Sequence, residues 1–358
     1  MMLVAEEIKS KLLSDPLDIF NSMLHDIENA KDYIYIETYK WGNDPIGIKF
    51  RNLLTKKSKQ GVKIRLLIDS WGTYVSETFF QEMIQLGANV KIFKKFRYSI
   101  NFFSSNHERD HRKLIIIDDT ISYLSSLNFT NYNLNWRELS IRIEGYLSKS
   151  FKAVFLSNYN LKNTYKFDKS RYTRLLRDGP FLILRDVPSV VIQKINRKYQ
   201  QMIKKAANEI IIESPYFLPT KNLRETLANA AKRGVDIKVF MPYRSDVRMA
   251  NILREYYLGK LSLAGVKFYF YLPDNLHAKF MVVDNQFMIS TANFDYRSFR
   301  YQFEVGLFGS DADILKQLRE HNSITASESV EFDYHKWKNR GLWHKIKERA
   351  MVPIRHFL

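Results

Sequence analysis

The sequence predicts two tandem α/β domains, each a copy of the other. The spacing His-x-Lys-x4-Asp occurs at His111, Lys113 and Asp118 and recurs at His277, Lys279 and Asp284. Each copy runs into a small polar return ending in asparagine, Ser125-Ser126-Leu127-Asn128 in the first and Ser290-Thr291-Ala292-Asn293 in the second. Segments ahead of the motifs also answer one another. Gln60-Gly61-Val62-Lys63-Ile64 matches Arg233-Gly234-Val235-Asp236-Ile237, and Gly87-Ala88-Asn89-Val90-Lys91 matches Ala264-Gly265-Val266-Lys267. A repeat of this length signals a duplicated structural unit.

Taken in order, the chain opens with Met1 to Ser14, where apolar and charged residues alternate in a helical rhythm without a signal peptide's apolar core. Asp15-Pro16 is a helix start, and Ile19, Met23, Leu24 and Ile27 mark one face of a helix over 15–30. Tyr33 to Glu37 reads as a strand, and a helix from Ile46 to Gln60 stops at Gly61. Val62 to Ile68 is an apolar strand closing on Asp69; a helix near Glu77 to Leu86 and a strand from Val90 to Phe93 follow. The motif strand, Arg112 to Ile117, and its return, Ile121 to Leu124, complete the first unit. The second repeats this order: helix Val191 to Ala207, strand Ile210 to Glu213, a helix ending at Gly234, strand Val235 to Met241, helix Ala250 to Leu263, strand Val266 to Tyr271 and the second motif. The expected organisation is a first domain over 1–161, a polar basic linker over 162–178, a second domain over 179–330 and a basic amphipathic segment over 331–358.

Lys and Arg number 56 against 38 Asp and Glu, a net charge of +18, so an anionic partner is expected, either nucleic acid or an anionic membrane surface. The absence of cysteine excludes disulfides and thiolate metal sites. The apolar runs are strand-length, far short of the ~20 residues a spanning helix needs. A soluble or peripheral protein on the cytoplasmic side is the expectation.

Residues two apart on a strand share a face, so His111 and Lys113 point together, as do His277 and Lys279. Asp118 and Asp284 complete the motifs but fall on the opposite parity, which makes them strand-end anchors. In the returns, Ser126 with Asn128 and Thr291 with Asn293 would join the same cluster. A lone histidine or lysine at a strand end ordinarily faces solvent; the duplication argues otherwise. One copy lacks a second acid/base group, whereas two facing copies supply two imidazoles and two ammonium groups. That set suits phosphoryl transfer, in which catalysis is positioning and stabilisation of charge on oxygen. One histidine would be the nucleophile, forming a phosphohistidine, and the other would protonate the leaving alcohol. Glu138 and Glu304 are downstream carboxylates available to orient the rings. With neither a carboxylate cluster nor a Gly-rich phosphate loop, no metal and no cofactor are expected.

The two motifs resemble the signatures of the phospholipase D superfamily. Glu213-Ser214-Pro215-Tyr216-Phe217-Leu218-Pro219, Asn293-Phe294-Asp295-Tyr296-Arg297-Ser298-Phe299, Phe303-Glu304-Val305 and Trp136-Arg137-Glu138 resemble its bacterial cardiolipin synthase branch. The resemblance spans roughly 15–345. It implies two phospholipase D-type domains, each a mixed sheet flanked by helices, with the active site at their interface. It further implies that His111 attacks phosphorus and His277 is the general acid. Lys113, Lys279, Asn128 and Asn293 would bind phosphoryl oxygens; Glu304 would orient His277, with Glu138 in the matching place for His111. The implied reaction joins two phosphatidylglycerols into cardiolipin and releases glycerol. Partners would be phosphatidylglycerol and the cytoplasmic face of the bacterial inner membrane, without nucleic acid. With both half-sites in one chain, a monomer should be catalytically complete. This chain departs from the family at Ser125 and Ser290, where glycine is usual, and Asn293 follows its histidine by one residue fewer than Asn128 does. It resembles the short type, without the paired membrane-spanning segments that begin some members.

Two segments could reach lipid. Leu342, Trp343, Ile346 and Ala350 recur at helical spacing within the basic stretch Trp337 to Val352, and Phe96 to Phe103 is an aromatic loop ahead of the first motif. The same intermediate could instead pass to water, giving phosphatidic acid, and the charge admits a nuclease or a non-catalytic binding protein. Both motifs in one chain argue against a nuclease, and intact histidine and lysine in both copies argue against a non-catalytic protein; phosphatidyl transfer is the leading expectation, with hydrolysis left open.

Overall fold

The computed structural model describes residues 8–73, 75–93, 107–161 and 175–356. The first sheet has the order β1-β8-β7-β6-β2-β3-β4, from β1 (Lys9–Leu13), β2 (Tyr33–Thr38), β3 (Lys63–Asp69), β4 (Asn89–Phe93), β6 (Leu114–Ile117), β7 (Ile121–Ser125) and β8 (Ser140–Glu144). β2, β3 and β4 are parallel and the rest antiparallel. The second sheet repeats that order as β10-β16-β15-β14-β11-β12-β13 and extends it with an outer strand at each edge. Its members are β9 (Leu176–Asp178), β10 (Phe181–Asp186), β11 (Glu209–Glu213), β12 (Asp236–Pro242), β13 (Lys267–Tyr271), β14 (Phe280–Val283), β15 (Gln286–Ser290), β16 (Gln302–Gly309) and β17 (Ser329–Glu331). β5 (Arg109–Asp110) lies ahead of the first motif in sequence yet pairs with β16.

The motif strands read as unbroken apolar runs because both of their faces are buried. Ile115 and Ile117 pack outward, with Phe20, Met23, Phe50 and Leu54 from the Pro16–Glu28 and Pro45–Lys59 helices. Leu114 and Ile116 pack inward. In the second unit Met281 and Val283 pack outward while Phe280 and Val282 pack inward. The inward residues of both sheets, with Phe151 and Phe155 of the Leu147–Tyr159 helix, share one core. The two units are therefore fused through apolar packing, and their meeting plane carries the site.

Several elements differ from the sequence expectation. Residues 9–13 form an edge strand on β8 rather than a helix. Lys9 and Lys11 face solvent while Leu13 is buried, so a non-local ladder overrides the local helical rhythm. The expected helix near Glu77 is a 3-10 turn, Glu77–Phe80, followed by one short helix, Gln81–Gln85. The last residues assigned to the linker are strand β9, paired to β10; residues 162–174 of the linker, like Phe96 to Phe103, lie outside the described residues. His111 to Lys113 and His277 to Lys279 sit just before their strands, and Ser126, Asn128, Thr291 and Asn293 just after theirs.

The C-terminal segment docks on the Arg248–Ser262 helix. The Trp337 indole Nε1 donates to the Glu255 carbonyl at 2.8 Å, and buried Glu348 accepts a two-point hydrogen bond from Arg340. The opposite face of the Leu342–Met351 helix is open, with Leu342 72%, Trp343 73% and Ile346 45% exposed.

Asp118 and Asp284 adopt left-handed backbone conformations, with φ of 51° and 49°. The Asp118 carboxylate accepts from the backbone N–H groups of Lys31, Asp32 and Tyr33 at 2.6, 2.9 and 2.8 Å. Asp284 accepts likewise from Ala207, Asn208 and Glu209 at 2.8, 2.9 and 3.0 Å. Each ties its hairpin turn to the start of the neighbouring strand. Alanine removes those acceptors and strains the backbone, so Asp118→Ala and Asp284→Ala should each cost about 2 kcal/mol or more. Asparagine, which tolerates left-handed backbone and keeps one carbonyl oxygen, should cost less. Urea unfolding of the four variants tests this; alanine variants as stable as the parent would rule out the anchor role.

Candidate active site

Each motif histidine is held by the opposite unit. β5 runs parallel to β16, pairing Arg109 with Gln302 and Asp110 with Phe303. The next backbone N–H, that of His111, donates to the Phe303 carbonyl at 3.1 Å. The second motif mirrors this: Arg137 bridges Leu276, and the His277 N–H donates to the Arg137 carbonyl at 2.7 Å. Phe303 and Arg137 immediately precede Glu304 and Glu138. Each strap therefore carries a carboxylate to the other unit's imidazole.

The ring contacts follow from that crossing. His111 Nδ1 lies 3.0 Å from Glu304 Oε1, and His277 Nδ1 lies 2.9 Å from Glu138 Oε2. The expected pairing, Glu304 with His277 and Glu138 with His111, is thus reversed. Within its own unit each glutamate is bound by the hairpin hydroxyl, Ser126 to Glu138 and Thr291 to Glu304. Those hydroxyls also accept from the Leu139 N–H at 2.9 Å and the Val305 N–H at 3.1 Å. Ser126 and Thr291 therefore support the carboxylates. With Nδ1 engaged, Nε2 of each ring is the nitrogen left to face a substrate.

Lys113 and Lys279 are almost fully buried, and each ammonium donates to the carbonyl of its own motif histidine at 2.8 Å. Burial pushes Lys113 down to about 8 and Lys279 to about 7, against the opposing pull of the two glutamates. Such groups gain strongly from an anion that restores their charge. The side-chain oxygens of Asn128 and Asn293 are buried with no hydrogen-bond partner among the described residues. A flip of the Asn128 amide presents an N–H donor to a phosphoryl oxygen, whereas the Asn293 amide N–H already binds the Asp295 carboxylate. The one-residue offset of Asn293 is absorbed in the turns: residues 118–120 join β6 to β7, while 284–285 join β14 to β15.

The two halves are not electrostatically equal. Burial, reinforced by Lys113 and Lys279, holds His111 well below the ordinary histidine range. Burial also lowers His277, but the Glu138 charge opposes it. Glu138 itself is lowered: burial acts against this, but the His277 contacts and the Lys279 charge outweigh it. Burial drives Glu304 up to about 7. His111 is accordingly the ring poised to be neutral, and His277 the one better able to hold a proton.

A cavity of about 310 Å³ opens onto His111, lined among others by Tyr39, Lys40, Trp71, Tyr216, Asn293 and Arg297. Tyr39 meets the His111 ring edge-on at 5.1 Å, and Trp136 meets His277 in the same way at 5.1 Å. The sequence reading did not single out Tyr39 or Arg297. Tyr39 had a signal, because it follows Glu37 by two residues and Tyr216 follows Glu213 by three.

Comparison with known proteins agrees with this architecture. The family model described as "Cardiolipin synthase, PLD-like domain" matches residues 23–156 and again 199–323. The major cardiolipin synthase ClsA of Bacillus subtilis is 31% identical over 98% of this chain and 76% of its own length. A cardiolipin synthase of Listeria monocytogenes is 29% identical over the same shares. Among solved structures, phosphatidylserine synthase of Haemophilus influenzae superposes with a TM-score of 0.76 at 14% identity, covering 98% of this chain and 95% of that one. At that identity the likeness speaks for the fold alone. Two matched domains and full-length similarity place the chain in the cardiolipin synthase family of phospholipase D-like proteins.

Proposed function

We propose that this phosphatidyltransferase makes cardiolipin from two phosphatidylglycerols through a phosphohistidine at His111. The supporting observation is the crossed His–Glu pair with unequal proton affinities around two buried lysines. In the first step His111 Nε2 attacks phosphorus, the bond to glycerol breaks, and His277 gives its proton to the leaving oxygen. In the second, the headgroup hydroxyl of another phosphatidylglycerol attacks the same phosphorus. The P–N bond breaks and the hydroxyl proton passes to His277. Lys113, Lys279, Asn128 and Asn293 hold the non-bridging oxygens, while Asp118 and Asp284 act from a distance by fixing the hairpins.

Access to lipid comes from the Leu342–Met351 helix. Its exposed Leu342, Trp343 and Ile346 lie among Lys345, Lys347 and Arg349, a pattern suited to the headgroup layer of an anionic membrane. Met351 and Val352, at its end, pack with Val247 and Ala250, which line the cavity. Docking would thus bring the mouth of the site to the bilayer surface.

Purified protein incubated with phosphatidylglycerol vesicles should yield cardiolipin and glycerol by mass spectrometry. Phosphatidic acid as sole product would mean hydrolysis, and plasmid nicking without lipid turnover would defeat the lipid reading. His111→Ala and His277→Ala should each lower turnover by at least about 10³-fold, and an acid-quenched covalent adduct should require His111. Replacing Leu342, Trp343 and Ile346 together by glutamine should reduce co-sedimentation with anionic vesicles without changing the unfolding midpoint; unchanged co-sedimentation would remove this helix from the account.

The proton assignment fixes a pH signature. Turnover needs His111 neutral, so the acid limb lies below the ordinary histidine value, and His277 protonated, which sets the alkaline limb. Glu138→Gln removes the charge that sustains the His277 proton, so the alkaline limb should move to lower pH. An alkaline limb that stays in place would reverse the two roles.

A further inference from the structure

Arg297 remains unexplained by the chemistry at the reacting phosphorus. It lines the cavity beside His111 and Asn293, and its guanidinium lies over the Trp71 ring at 5.6 Å. Its Nε and Nη2 are buried with no hydrogen-bond partner among the described residues. The side chain as a whole is half-buried and its charge is shared with Asp69 and Asp295, but these two donors are costly to leave unmet unless a ligand satisfies them. Its fork matches a phosphate or carboxylate, and its charge reaches His111, whose proton affinity it depresses. The reacting phosphate already has two lysines and two asparagines. A second anion therefore fits the observations better than a further contact to the first.

Resting on the transferase reading, we propose that Arg297 holds the phosphate of the acceptor lipid while that lipid's headgroup hydroxyl attacks phosphohistidine. A phosphatidylglycerol acceptor carries its phosphate on the far carbon of the same glycerol whose free end attacks. An anchored phosphate would place that hydroxyl near phosphorus and exclude water, raising its effective concentration at the reacting centre. In the transfer the acceptor O–P bond forms, the P–Nε2 bond to His111 breaks and the proton goes to His277. Arg297 takes part in neither bond change. Its role is selection between a phosphate-bearing alcohol and acceptors without one.

The test offers both kinds of acceptor together. Phosphatidylglycerol vesicles containing ethanol are incubated with the parent enzyme, Arg297→Gln and Arg297→Lys, and the ratio of cardiolipin to phosphatidylethanol is read by mass spectrometry. The ratio should fall at least tenfold in Arg297→Gln and less in Arg297→Lys, which keeps the charge but loses the fork. An unchanged ratio overturns the assignment, as does loss of both products in both variants, because Arg297 would then serve the common intermediate or the fold. A parent enzyme that forms phosphatidic acid and phosphatidylethanol but no cardiolipin instead brings down the transferase reading itself, and the acceptor site with it.

Discussion

The structure depends on the reciprocal grip of each motif histidine by the opposite unit. Two imidazoles, two ammonium groups and two carboxylates are buried together, and isolated charges there would each cost several kcal/mol. The crossing makes their burial tolerable. Each histidine N–H is satisfied by a carbonyl of the other unit, each Nδ1 by its glutamate, and each glutamate by a hydroxyl of its own hairpin. Removing one partner would leave its neighbour charged and unpaired, so the groups stand as a set. The shared apolar core beneath supplies the rigidity that keeps them within hydrogen-bonding distance.

Duplication alone would make a symmetrical site, whereas the proposed reaction calls for a nucleophile and an acid. The difference arises around the ring partners. Glu138 is engaged through both oxygens by His277 and stays ionised, whereas Glu304 contacts His111 through one oxygen and is driven toward neutrality by burial. The cavity then opens on the less basic ring. Two copies of one fold thereby acquire unequal proton affinities through small changes in local charge, with no change in the identity of the principal groups.

Much of this was legible in the chain. The paired motifs and the repeated element order are local properties, fixed by spacing and side-chain alternation, whereas Asp118 and Asp284 stand apart from the site through their left-handed turn positions rather than through strand parity. What escaped was non-local. No periodicity shows that β5 leaves its own unit for β16, and that excursion reverses the glutamate partners. Residues 9–13 are a strand because β8 offers an edge, a fact held elsewhere in the sequence. Arg297 stood within a quoted motif, but its burial beside the cavity is a property of packing, which residue type does not carry.

The crossing also sets an order of events during synthesis. His111 cannot find its carbonyl or its carboxylate until Phe303 and Glu304 have left the ribosome, nearly two hundred residues later. Until then the first motif lacks both of the cross-unit partners that hold its backbone and its ring. A chain truncated before β16 would keep five of the six charged groups and lack only Glu304, the partner of the His111 ring. The first motif is thus completed only when β16, the last of the seven central strands of the second sheet, has been made.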